Sequence, residues 1–109
     1  MDIDVKPGNK SNVINPNQES KTWAVILGNA DFDVTLVDPT TMRLGPDEAS
    51  PDRFRFKDVD CNGYFDLMGR FKIPQTGISC GDTEVQLTAE TFDGQALVGS
   101  DSITAVGCQ

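Results

Sequence analysis

Apolar and polar residues alternate along most of this chain in short runs, and Gly, Pro, Asn or Asp stand between the runs. A period of two puts successive side chains on opposite faces of a strand, so each run predicts a half-buried strand. Ile3 to Lys6 is the first, closed by Pro7-Gly8-Asn9. Residues 7 to 20 are rich in Asn, Ser, Pro and Gly, and predict a long ordered loop or edge segment pinned by Val13 and Ile14. Thr22 to Gly28, TWAVILG, is the most apolar run. It predicts a central strand buried on both faces, with Trp23 in the core. Phe32, Val34 and Leu36 alternate with Asp33 and Thr35, predicting another strand, and Asp38-Pro39 predicts a turn. Thr41 to Leu44 is a further short strand, and Gly45 to Asp52 a loop. Phe54 and Phe56 alternate with Arg53, Arg55 and Lys57 in the next strand.

The second half repeats the pattern more clearly. Phe65, Leu67, Phe71 and Ile73 share one face of a strand, and Asp66, Met68, Arg70 and Lys72 the other. Pro74 to Asp82 predicts turns. Val85, Leu87 and Ala89 alternate with Gln86, Thr88 and Glu90. Asp93-Gly94 then predicts a tight hairpin turn, with Leu97 to Val106 as the return strand. The apolar parity changes between Val98 and Ile103, which predicts a bulge near Gly99-Ser100. No stretch has a helical period. About seven short strands predict an all-β fold, an antiparallel immunoglobulin-like β-sandwich. Residues 1–109 are read as a single β-sandwich domain, since 109 residues suit one core.

Charge narrows the partners. The formal net charge is -8, which repels phosphate backbones and anionic lipid heads, so neither nucleic acid nor membrane is expected as a partner. No run reaches the roughly 18–20 apolar residues of a membrane helix. The start, Met1-Asp2-Ile3-Asp4, lacks the basic and apolar regions of a signal peptide. The chain is therefore read either as cytosolic or as a mature or excised domain without its export signal.

The acids concentrate in Asp58-Val59-Asp60-Cys61-Asn62-Gly63-Tyr64-Phe65-Asp66. Side-chain oxygens stand at loop positions 1, 3, 5 and 9, and Gly at position 6. Calcium takes about six to eight oxygen ligands, and a tight loop offers them on alternate residues. The expected ligands are Asp58, Asp60, Asn62, the backbone carbonyl of Tyr64, and Asp66. Three carboxylates so close repel one another without a cation. The competing reading is a solvated Asx-rich turn without metal. The loop is not a complete EF-hand: Gly69 stands where the bidentate Glu would be, and a strand follows instead of a helix. An incomplete ligand set implies affinity of roughly 10⁻⁵ to 10⁻³ M. Asp82 and Asp101 are candidates for further ligands from other strands.

Cysteines stand at 61, 80 and 108, and there is no histidine. A zinc site is not expected, because its usual ligands are absent. A bridge between Cys80 and Cys108 would close a loop of about 29 residues, worth roughly 3–4 kcal/mol in the chain-entropy model. The alternative is three reduced thiols.

Several segments together carry a resemblance. Ile3-Asp4-Val5-Lys6-Pro7-Gly8 with Asn12-x-Ile14-Asn15 is similar to the start of a poorly characterised module of bacterial exported and surface proteins. Phe32-Asp33, Val37-Asp38-Pro39-Thr40-Thr41, Leu44-Gly45-Pro46, Asp58-Val59-Asp60, Asp66-Leu67 and Thr76-Gly77-Ile78 match its middle. Cys80-Gly81-Asp82, Thr91-Phe92-Asp93-Gly94-Gln95 and Gly99-Ser100-Asp101-Ser102-Ile103 match its end. The resemblance implies an extracellular or cell-surface setting, a calcium loop and a Cys80–Cys108 pairing, and no known activity. Members of that family often read Asp-x-Asp-Gly-Asp-Gly in the loop. Here Cys61 and Asn62 replace the first Gly and the third Asp, so one charge is lost.

Catalysis is not expected. Without histidine there is no Ser-His or Cys-His nucleophile system, and no Gly-rich phosphate loop leads into a helix. Asp31, Asp33, Asp47, Glu48 and Asp52 offer carboxylates, but nothing pairs two of them. The expected function is a non-catalytic calcium-binding accessory module of an exported protein, with calcium (Ca2+) structural and other protein as its partner. The alternative is a calcium-dependent carbohydrate-binding or adhesion module, with a glycan partner and Tyr64 as its exposed aromatic.

Overall fold

Three sheets carry the chain. A computed structural model describes residues 1–6, 12–16 and 19–106. Nine strands occur among the described residues: β1 (Ile3–Val5), β2 (Val13–Ile14), β3 (Lys21–Ile26), β4 (Val37–Leu44), β5 (Arg53–Lys57), β6 (Asp66–Lys72), β7 (Glu84–Thr91), β8 (Ala96–Ser102) and β9 (Thr104–Ala105). The expected number was about seven; β2 and β9 are two-residue strands that pair with each other in parallel. The largest sheet runs β1-β3-β6-β5 and a second runs β4-β7-β8, both antiparallel throughout. Among the described residues the fold is all-β apart from a short 3-10 turn at Val34–Leu36 and one short helix, Ile73–Thr76. No helix among the described residues is long and apolar enough to cross a membrane.

Residues paired across antiparallel strands point to the same face, so the register gives the faces directly. On the four-stranded sheet, Ile26 pairs with Leu67, and Thr22 with Phe71. On the three-stranded sheet, Val85, Leu87 and Ala89 are buried while Glu84, Gln86 and Glu90 are exposed. The buried side chains of both sheets, among them Ala24, Ile26, Leu67, Phe71, Met42, Leu44, Val85 and Leu87, form one apolar cluster. Burial of such side chains, worth roughly 25 cal/mol per Å² of apolar surface, is what holds the two sheets to a common core.

Four expectations change. Phe32 to Leu36 does not form a strand. The Asp33 carboxylate accepts from the Thr35 backbone N–H at 2.9 Å and caps the 3-10 turn, so a local side-chain bond overrides the alternating pattern. Asp38-Pro39 is not a connecting turn but lies inside β4, where pairing with β7 shifts register between Asp38 and Arg43. A proline fits a strand at such an irregularity, because it has no N–H to donate. The bulge expected near Gly99-Ser100 is absent: β7 and β8 pair without a break from Glu84–Ser102 to Glu90–Ala96. Val98 simply faces outward, while Gly99 and Ile103 are buried.

The fourth change concerns Trp23. It pairs with Arg70, which pairs with Arg53, so all three stand on the outer face of the four-stranded sheet. Trp23 is half-buried there and is not in the apolar cluster. The guanidinium carbons of Arg55 and Arg70 each lie 6.0 Å from its ring centroid. Cations over the indole supply cover that an apolar core would otherwise provide.

Candidate metal centre

The loop from Asp58 to Phe65 joins β5 to β6, which are neighbours in the four-stranded sheet, with Lys57 paired to Asp66 at its base. The ladder therefore fixes both ends of the loop. Asp66 opens β6 and is fully buried. One of its oxygens accepts from the Gly28 N–H at 2.7 Å and the other from the Val59 N–H at 2.9 Å. The first bond ties the loop to the end of β3; the second draws the two ends of the loop together. No buried side-chain polar atom among the described residues lacks a partner.

Asp58 shapes the turn. Its two oxygens accept from the backbone N–H groups of Asn62 at 3.2 Å and Gly63 at 2.9 Å. Asn62 bridges in both directions: its side-chain oxygen accepts from the Tyr64 N–H at 2.9 Å, and its side-chain nitrogen donates to the Gly28 carbonyl at 3.0 Å. Cys61 and Gly63 have φ values of 59° and 88°, in the left-handed region. Glycine enters that region without steric cost, whereas a cysteine enters it at a penalty.

This folding brings Asp58, Asp60 and Asp66 together. One carboxylate oxygen from each lies within 4.8 Å of the others, a group that could hold a metal ion. Asp60 shows the cost of the arrangement. Its carboxyl is pushed above the usual carboxylate value, first by loss of surrounding water and then by the charge of Asp66, although the residue as a whole is exposed. Asn62 and Tyr64 lie in the same turn, Asn62 with its amide bonded as above and Tyr64 with an exposed ring. The loop is the one group of three or more acidic, Cys or His side chains with ligand spacing among the described residues.

The two acids considered as further ligands are engaged elsewhere. Asp82 accepts from the Ser79 N–H at 2.8 Å, closing the turn before β7. One oxygen of Asp101 accepts from the Val5 N–H and from the Asn12 side chain, both at 2.9 Å, stitching β1 to β8. Asp4 lies close enough to Asp101 to have its own carboxyl raised, by burial first and by that charge second. Cys61 is free and exposed. Cys108 lies outside the described residues, as do Pro7 and Gly8.

Sequence reasoning treated Gly28 only as the end of a strand. In the fold its N–H and its carbonyl both serve the loop, through Asp66 and Asn62. A Cβ at Gly28 would stand 2.0 Å from the Phe65 carbonyl oxygen. The one available signal was a glycine terminating the most apolar run, and its partner lies 38 residues away.

No family model, no curated protein and no solved structure matches the chain.

Proposed function

We propose that this protein is a non-catalytic β-sandwich module of immunoglobulin-like kind, belonging to an exported or cell-surface protein, in which the loop from Asp58 to Asp66 holds one calcium ion as a structural element. The observation that carries this reading is the convergence of Asp58, Asp60 and Asp66 oxygens within 4.8 Å on a loop whose ends are closed by the Lys57–Asp66 strand pairing and by the Val59 N–H donating to the Asp66 carboxylate. Asn62 and the Tyr64 carbonyl complete the proposed ligand set, and water fills the remaining positions. A hard cation offsets what raises Asp60, first its loss of surrounding water and then the charge of Asp66. Calcium suits an irregular oxygen shell of this kind better than magnesium, which demands a smaller octahedron. A bridge between Cys80 and Cys108 is part of the same reading; intact mass should fall by two hydrogens relative to the reduced chain.

Thermal unfolding with calcium and with chelator tests the proposal. Calcium at 100 times its dissociation constant should add about 2.7 kcal/mol and raise the midpoint accordingly. A midpoint unmoved by calcium raised to about 100 mM, 100 times the weakest expected dissociation constant, removes the reading. Tyr64 and Phe65, both exposed beside the ligands, support a second reading in which the same loop contacts a glycan. A glycan array run with and without calcium separates the two.

A further inference from the structure

We infer that the outer face of the four-stranded sheet is a docking surface for an acidic polysaccharide. Six of the nine Lys and Arg residues of this acidic chain stand on that one face. Lys21 pairs with Lys72, Arg70 with Arg53, and Arg55 and Lys57 continue the array along the edge strand β5. Strands lie about 4.8 Å apart and same-face residues roughly 6.8 Å apart along a strand, so these cations form a grid. The acids of this face lie at its margins: Asp66, buried and bonded to backbone N–H groups, gathers with Asp58 and Asp60 beyond Lys57, Asp52 clamps Lys21 and Arg70, and Asp4 stands across β3 at the other edge of the sheet.

The array is held in place. Asp52 bonds the Arg70 Nε at 2.8 Å and the Lys21 Nζ at 2.9 Å, which fixes two of the cations without neutralising the other four. Trp23 stands in the middle, half-buried, with Arg55 and Arg70 against its ring. At the Lys21–Lys72 end the face meets a pocket also lined by Glu19, Ser20, Pro74 and Gln75.

The composition of the face selects the partner. A protein, including a second copy of this chain, would need a broad apolar centre with charges at the rim, whereas here the centre is one half-buried indole with guanidinium groups against it, and Val25 is already buried. Single-stranded nucleic acid is held by successive stacking aromatics, and this face has one. A chain of sugar rings bearing carboxylates or sulfates needs what is present: guanidinium forks for planar anions, ammonium groups between them, and one indole against a ring.

Affinity electrophoresis at low salt tests this with hyaluronate and heparin as acidic probes, dextran as the neutral one, and a thymidine oligonucleotide. Each is run with calcium and with chelator. The expected result is retardation by an acidic polysaccharide in both conditions, lost on adding salt, and none by dextran. Arg53→Gln with Lys72→Gln, neither of which covers the indole, should weaken it roughly tenfold or more, as expected for loss of a charged hydrogen bond, with the melting midpoint unchanged. Lys57→Gln alone should weaken it in the same direction. No retardation by either acidic probe, equal retardation of the folded variants, tighter binding of the oligonucleotide, or self-association that the variants abolish would each overturn the proposal. Binding seen only with calcium and untouched by the variants would also overturn it, placing the glycan at the loop instead. The inference does not rest on the calcium reading: it survives if the calcium melting test fails.

Discussion

The Gly28 N–H and the Asp66 carboxylate meet at 2.7 Å in a fully buried site, joining the end of β3 to the first residue of β6. The contact lies beneath the acidic loop and joins two protein groups directly. The loop thus has a scaffold of protein bonds and, above it, a group of carboxylates placed to face a cation.

Gly28→Ala tests the scaffold. The added methyl group would meet the Phe65 carbonyl oxygen at 2.0 Å, and backbone cannot swing aside as a side chain can. The expected loss is about 1–3 kcal/mol or more, read by urea denaturation, in chelator as well as in calcium.

Asp60 and Asp66 should separate binding from folding. Asp66→Asn leaves a buried backbone N–H facing an amide, and should cost about 1–3 kcal/mol even in chelator. Asp60→Asn should leave stability in chelator within about 0.5 kcal/mol or raise it slightly, because it removes a charge that Asp66 opposes. The same change should shrink the midpoint rise produced by calcium. Melting curves of both variants in the two buffers decide the matter; an Asp60→Asn protein that responds to calcium like the parent would exclude Asp60 as a ligand.

Asp52 gives a pH signature. The Arg70 guanidinium and the Lys21 ammonium hold its carboxyl down to about 2, from an ordinary 3.8. A depressed carboxylate contributes stability above its unfolded value and loses it as pH falls through the folded one. The clamp should therefore weaken between about pH 4 and pH 2. Asp52→Asn should flatten this part of the acid limb and lower stability near neutrality by the same amount, which is small because an exposed pair contributes little. Acid titration followed by circular dichroism measures it.

Cys61→Gly should stabilise. The left-handed backbone at φ 59° costs a non-glycine residue roughly 1–2 kcal/mol, partly offset by the greater freedom of glycine in the unfolded chain. A net gain of a few tenths to about 1 kcal/mol is expected in chelator. Gly63→Ala, at φ 88°, should move the same measurement the other way.

Much of this architecture was legible because its signals are local. The alternation of Val85, Leu87 and Ala89 and the Asp93-Gly94 turn produced β7, β8 and their hairpin, closed by the Thr91 N–H on the Gln95 carbonyl at 2.9 Å. The loop was legible because ligand spacing is a property of nine adjacent residues. What sequence missed is set by distant partners. The pairing of Val13–Ile14 with Thr104–Ala105 joins opposite ends of the chain and has no local pattern. Trp23 reads as core because its neighbours are apolar; only the register that places Arg55 and Arg70 beside it turns it outward. Asp33 misleads in the opposite way, since its capping bond to Thr35 breaks an alternation that hydrophobicity alone would continue.

The edge strand β5 carries one further consequence. Phe54 and Phe56 are 45% and 38% exposed, on a strand that among the described residues is paired on one side only, and such an edge is a template for aggregation. Arg53, Arg55 and Lys57 interleave with them, so two copies approaching edge to edge would bring like charges together. The cations act as gatekeepers as well as a binding array. Their deterrent is electrostatic, so concentrated salt, which screens exposed charges, weakens it.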